Sequence, residues 1–144
     1  MTDSWSWFGW ALLSAVFAAL TAVFAKLGLQ AVDSDLATLV RTGVIIGVLG
    51  CFVWITDKWR NPLELGSRTL LFLTLSGLAT GASWVCYFRA LKLGPASKVA
   101  PVDKFSLVLV AVFAYLFLAE RPSAREWLGI AMVSAGVVIL AWKR

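Results

Sequence analysis

The stretch LKLGPASKVAPVDKFSLVLV, residues 91–110, decides how this chain is read. It begins like a loop, ends like the middle of a membrane helix, and sets Asp103 and Lys104 side by side where the two meet. Two helix starts are compatible with it. If Pro101 is the first helical residue, its missing N–H costs nothing, and Asp103 merely favours the positive end of the helix. If Gly94-Pro95 is the turn, Gly ends one helix, Pro opens the next, and Pro101 lies inside it, freeing the Ser97 carbonyl and kinking the helix. The second start leaves a tight link and is the preferred one. Lys104 then lies roughly 12 Å along the helix from Ala96, near the level where headgroups give way to hydrocarbon. Such a helix can insert. Asp and Lys cost about 2.5 to 3.5 kcal/mol each at the bilayer centre, and less off centre. The ten Leu, Val and Phe residues between Phe105 and Leu118 return about 0.3 to 0.6 kcal/mol each.

The rest of the chain agrees with a membrane setting. Of its 144 residues 60% are hydrophobic and 15% charged, and mean hydropathy is +0.85. Globular domains are nearer 45–50% apolar and about 25% charged. Residues 4–25 carry no charge and no small-residue cleavage pattern, so a secretory signal is not expected. Five segments match the roughly 20 residues a helix needs to cross. They run over Trp5–Leu29, Asp35–Thr56, Arg68–Leu93, Ala96–Ala119 and Ala124–Trp142. Ser34 and Ser67 are the expected caps of the second and third, and Ser123 with Glu126 forms a capping box at the fifth. The fold class is therefore all-α, a polytopic bundle of five transmembrane helices in one domain spanning 1–144.

The net charge of +5 would suggest nucleic acid in a soluble protein. Here it fits basic residues flanking spans and meeting anionic lipid, so the expected partners are membrane lipids and no nucleic acid. Cys51 and Cys86 fall in apolar runs and read as small hydrophobes. With no histidine, no CxxC and no phosphate loop, neither an enzyme nor any cofactor or metal is expected. Five spans place the termini on opposite sides. The N-terminal side, side A, holds five basic residues; side B holds eight, or six once Arg41 and Lys104 are set aside as intrahelical. So even a balance barely orients the chain, and it predicts dual topology with two inverted copies in an antiparallel dimer. One fixed orientation, side B cytoplasmic, is the alternative.

Ionisable groups within a membrane usually face the bundle interior or a watery path. Arg41, Asp103 and Lys104, with Arg89, are the candidates to line a polar cavity open toward side B, against the simpler reading that the basic residues snorkel. Thr80, Trp84 and Tyr87 recur at three-and-four spacing and give the third segment a face of hydroxyl and aromatic surface. Trp84 lies well inside it, whereas the other seven tryptophans sit near the interfaces. Gly43 and Gly47, Gly77 and Gly81, and Gly129 through Gly136 offer close-packing faces, for intrachain contacts first and a dimer seam second.

Four stretches, FAKLGL, LVRTGVI, YFRALKLGPASKVAP and LAERPSAREWLGIAMVSAGVVIL, resemble the drug/metabolite transporter superfamily, specifically a single EamA-type repeat of the five-helix bacterial and archaeal branch. The resemblance covers nearly the whole chain. It implies a secondary transporter in the bacterial inner membrane that exports small organic metabolites or drugs. Larger relatives carry two such repeats in opposite orientation, so a single copy implies a homodimer or pairing with a sister half-domain, as alternating access about a midplane site requires. The chain departs from four-helix multidrug relatives in lacking a membrane-embedded acid in its first segment; among its carboxylates only Asp103 lies deep. The competing expectations are a non-transporting accessory subunit and a flippase for a lipid-linked solute.

Overall fold

The computed structural model describes residues 3–142, apart from the side chains of 3–6 and 63. The expected Trp5 anchor and the side-B charges Lys143 and Arg144 fall outside that description. Among the described residues the regular structure is helical: α1 Asp3–Gly28, α2 Ser34–Ile55, α3 Ser67–Leu93, α4 Ala96–Asp103, α5 Ser106–Phe117 and α6 Ala124–Ala141. A 3-10 turn at Pro62–Glu64 sits in the longest link. Five stretches are long and apolar enough to cross a membrane: Trp7–Gly28, Ser34–Ile55, Ser67–Leu93, Ala96–Phe117, which joins α4 and α5, and Ala124–Ala141. The protein is a polytopic all-α membrane protein.

Local chemistry sets the helix ends. At α2 the N-cap is Asp33, not Ser34; its carboxylate accepts from the N–H groups of Asp35 at 2.8 Å and Leu36 at 3.4 Å. A carboxylate beside the positive helix end outcompetes a hydroxyl one residue later. Ser67 is likewise the first helical residue rather than the cap, since the Gly66 carbonyl accepts the first bond, from Leu70. The Ser123–Glu126 capping box forms as expected. Two helix ends turn through the left-handed region without glycine, at Asp57 (φ 52°) and Ala119 (φ 56°). After α2 the N–H of Lys58 reaches Val53 and that of Asp57 reaches Trp54, the paired closure of a Schellman turn.

The chain divides into two compact units, residues 1–93 and 94–144. In the first, α2 and α1 both pack on α3. All of its described buried side chains lie toward one end: Ala22 and Leu29, Ser34 and Thr38, and Phe88 and Leu91. That end joins the C-termini of α1 and α3 to the N-terminus of α2, which is side B. Polar cross-links reinforce it. Lys26 donates to the Leu91 carbonyl at 2.5 Å, Lys92 donates to the Val32 carbonyl at 2.8 Å, and Arg89 grips Asp35 through two hydrogen bonds of 3.0 and 2.6 Å. These partners satisfy carbonyls at a helix end and in the α1–α2 link that the chain itself leaves open.

In the second unit α4 and α5 each pack on α6. The Gly94-Pro95 start is observed, with Pro95 in extended conformation as N-cap and Ala96 as the first helical residue. Pro101 lies inside α4, but the break comes one turn later than expected, at Lys104 and Phe105. There the N–H of Phe105 bonds to Val102, and that of Leu107 to Lys104, in the tighter i to i−3 pattern. Proline removes one hydrogen bond, and the irregular turn follows downstream of it, at Lys104 and Phe105. Within each unit the described glycines are not sites of close helix approach: a Cβ added at Gly43, Gly47, Gly77, Gly81, Gly129 or Gly136 would meet no side chain or neighbouring helix within 4 Å. The tight contacts of the first unit are instead made by aliphatic and aromatic side chains at side B.

Candidate functional site

Arg41 is the organising residue of the first unit. It lies on α2 seven residues past Ser34, about 10 Å along the axis. Its guanidinium carbon sits 4.2 Å from the centre of the Trp84 ring and 5.2 Å from that of Phe88. Both are within the roughly 6 Å over which an aromatic face attracts a cation. Trp84 and Phe88 are four residues apart on α3, so one helix face presents both rings to α2. Arg41 makes no ion pair among the described residues, so the rings are what holds its charge. A planar guanidinium stacked in this way keeps its edge N–H groups available to an acceptor.

Beside Arg41 runs a groove of about 460 Å³ between α1 and α2. Phe24 and Gly28 of α1, Val32 of the link, Val40 of α2 and Phe88 of α3 make its walls apolar, and Thr21 and Arg41 supply the polar lining. A concave, mostly apolar site with a few placed polar groups is the usual form of a small-molecule site, and the volume falls in the usual range.

The remaining sequence candidates divide. Tyr87 is half-buried with its ring against Phe88, centroids 6.4 Å apart, and so borders the same aromatic cluster. Thr80 is exposed and returns its hydroxyl to the Ser76 carbonyl at 2.8 Å. Arg89 is engaged in the exposed bidentate pair with Asp35, which anchors α2 to α3 at side B. In the second unit, Asp103 and Lys104 stand at the helix break, their charged groups 3.8 Å apart and both partly exposed. Their mutual contact exceeds what 100° helical spacing allows for neighbours, and the tightened turn at Lys104 accounts for it.

Two residues of this arrangement carried no flag in sequence. Phe88 reads as one more apolar helix residue, though its spacing from Trp84 is the signal of a paired aromatic face. Asp35 reads as a first-turn acid; only the fold shows that it faces Arg89. No group of three or more His, Cys, Asp or Glu residues suited to a metal occurs among the described residues.

Comparison with known proteins gives this geometry its context. The family model described as the EamA-like transporter family matches residues 5–142. A Sinorhizobium protein named as an uncharacterized transporter in the cobO 3' region is 59% identical over 141 residues, which cover 98% of this chain and 99% of the relative. A Yersinia pestis (strain Pestoides F) protein named as a probable 4-amino-4-deoxy-L-arabinose-phosphoundecaprenol flippase subunit, ArnE, is 32% identical over 105 residues, 69% of this chain and 92% of the relative. No solved structure is significantly similar. Five membrane-spanning helices, a match that runs almost from end to end, and a relative of the same length named as a transporter lead to one conclusion: the chain belongs to the EamA-like transporter family and is a membrane transporter.

Proposed function

We propose that the protein is a secondary transporter of small anionic or zwitterionic organic solutes in a bacterial inner membrane, working by alternating access as an antiparallel pair. The observation that carries this reading is Arg41: a guanidinium within a span, stacked on Trp84 and Phe88, without a carboxylate partner among the described residues, at the edge of an apolar groove. Buried or half-buried charge in a membrane is costly, and function is the usual reason to keep it. In this scheme Arg41 receives the anionic group of the solute, while Trp84 and Tyr87 contact its organic body and Thr80 extends that face. Asp103 and Lys104 act as a separate ionic gate at the helix break, and Arg89 with Asp35 closes side B. Broken membrane helices commonly mark moving or ligand-contacting segments.

Pairing is supported by the near balance of basic residues across the two sides, by the single repeat, and by the word "subunit" in the name of the Yersinia relative. Reconstituted in liposomes, the protein should give saturable counterflow with a panel of labelled anionic and zwitterionic metabolites, and Arg41→Ala or Asp103→Asn should abolish it. Normal flux in both variants would remove the proposed site. Cysteines placed in the Asp57–Ser67 link, in a background lacking Cys51 and Cys86, should be labelled from both sides of the membrane; labelling from one side in every copy would remove the inverted pair.

A second reading has its own support. The groove opens between two helices, beside a cation, and the Yersinia relative is named for a lipid-linked sugar phosphate. A flippase would move a fluorescent lipid-linked sugar phosphate between leaflets of the same liposomes while giving no counterflow of water-soluble solutes.

A further inference from the structure

The side-B end of the second unit carries a feature that the transport site does not use. A cleft of about 630 Å³ is lined by Lys98 of α4 and by Val138, Ile139 and Trp142 at the end of α6. Lys98 lies in the first turn of α4, and Trp142 follows the last residue of α6. The two helices pack together, so the lysine and the indole mark one level at the ends of their spans. That level is the headgroup region, because spans of this length end there.

The chemistry of the cleft is one-sided. Lys98 has no carboxylate partner among the described residues, and none of the lining residues is acidic. In sequence the charges that follow Trp142, Lys143 and Arg144, are also basic, and the nearest acid, Asp103, lies five residues further along the span from Lys98. Val138 and Ile139 lie toward the membrane interior, and Ile139 is 73% exposed and Trp142 75%. The cleft thus presents a cation at phosphate level, an amphipathic ring beside it and an apolar ledge below. We propose that it binds one anionic phospholipid, with the phosphate on Lys98, the glycerol region against the Trp142 ring, and an acyl chain along Val138 and Ile139. The ledge decides against a soluble anion, which would leave it uncovered, and against an acidic peptide, which would have to reach hydrocarbon depth. Indole rings favour this interfacial level for the same reason, an apolar body with one polar N–H.

Native mass spectrometry of the full chain, released from nanodiscs holding phosphatidylglycerol and phosphatidylcholine in equal amounts, tests the proposal. The wild type should retain one phosphatidylglycerol in preference. Lys98→Gln should lower that retention about fivefold, the equivalent of about 1 kcal/mol for one basic residue at the surface. Trp142→Ala should lower it as well, Lys98→Arg should keep it, and Lys58→Gln, at the opposite end of the spans, should leave it unchanged. Millimolar inorganic phosphate should not displace the lipid. Equal retention of phosphatidylcholine, undiminished retention in Lys98→Gln, or displacement by inorganic phosphate would each overturn the assignment, the last in favour of a soluble anion. Because the readout is lipid retention, the result stands apart from whether Arg41 binds a solute.

Discussion

Replacing Arg41 with Met tests whether that residue serves function at the expense of stability. An Arg at the bilayer midplane costs about 2.5 to 3.5 kcal/mol. Arg41 lies about 10 Å along α2 from Ser34, short of the midplane, so a value of about 2 kcal/mol applies. Stacking on Trp84 at 4.2 Å, half-desolvated, returns about 1 kcal/mol. Met fills a similar unbranched volume without the charge, so Arg41→Met should stabilise the fold by about 1 kcal/mol while abolishing flux. Reversible unfolding in mixed detergent and SDS micelles measures the first effect, and liposome counterflow the second. A double-mutant cycle then isolates the stacking: Trp84→Leu should cost about 1 kcal/mol more in the wild type than in Arg41→Met. Destabilisation by Arg41→Met of 1 kcal/mol or more, or additivity of the two changes within about 0.3 kcal/mol, would refute the argument and make Arg41 a structural residue.

Four further outcomes follow from the same structure. Leu91→Ala should cost about 2 to 5 kcal/mol, because Leu91 is fully buried where the three helices of the first unit meet, whereas Leu93→Ala, at 90% exposure, should stay within about 0.5 kcal/mol in the same unfolding assay. Ala119→Gly should raise stability by about 1 kcal/mol by relieving the left-handed backbone at φ 56°. Asp33→Ala should destabilise by about 1 kcal/mol and Ser34→Ala by clearly less, since Asp33 is the side chain that caps α2. Pro101→Ala should restore the hydrogen bond to the Ser97 carbonyl, slow amide hydrogen exchange across the α4–α5 break, and slow counterflow.

Much of this protein is legible in its sequence. The five spans follow from hydrophobic runs of the required length, because in lipid the backbone must satisfy itself and a helix is the only single-segment way to do so. The start of the fourth span at Ala96 follows from Gly94-Pro95, and the Ser123–Glu126 box follows from its spacing. Arg41 and Trp84 each stand out in sequence as a polar or aromatic group at membrane depth, and they stack on one another. What misled was finer. The caps of α2 and α3 lie one residue from where the residue types point, the helix break lies one turn past Pro101, and the described glycines have room for a Cβ within their own unit. Each of these depends on competition between nearby groups of similar energy, which a pattern of residue types does not rank.

Hydrophobicity and helix-breaking residues, taken by themselves, determined that the chain spans the membrane five times and where each span begins, since both are properties of single segments against solvent. Only tertiary structure decided which charged residues have protein partners. Arg41 and Arg89 are alike in sequence, one basic residue near the side-B end of a span, yet Arg89 is locked to Asp35 while Arg41 rests on two aromatic rings beside an apolar groove. The difference arises because the reach of a side chain is set by how two helices rotate against each other, and that rotation depends on packing across α2 and α3, where Phe88 and Leu91 are buried, which residue type and position along a span do not reveal.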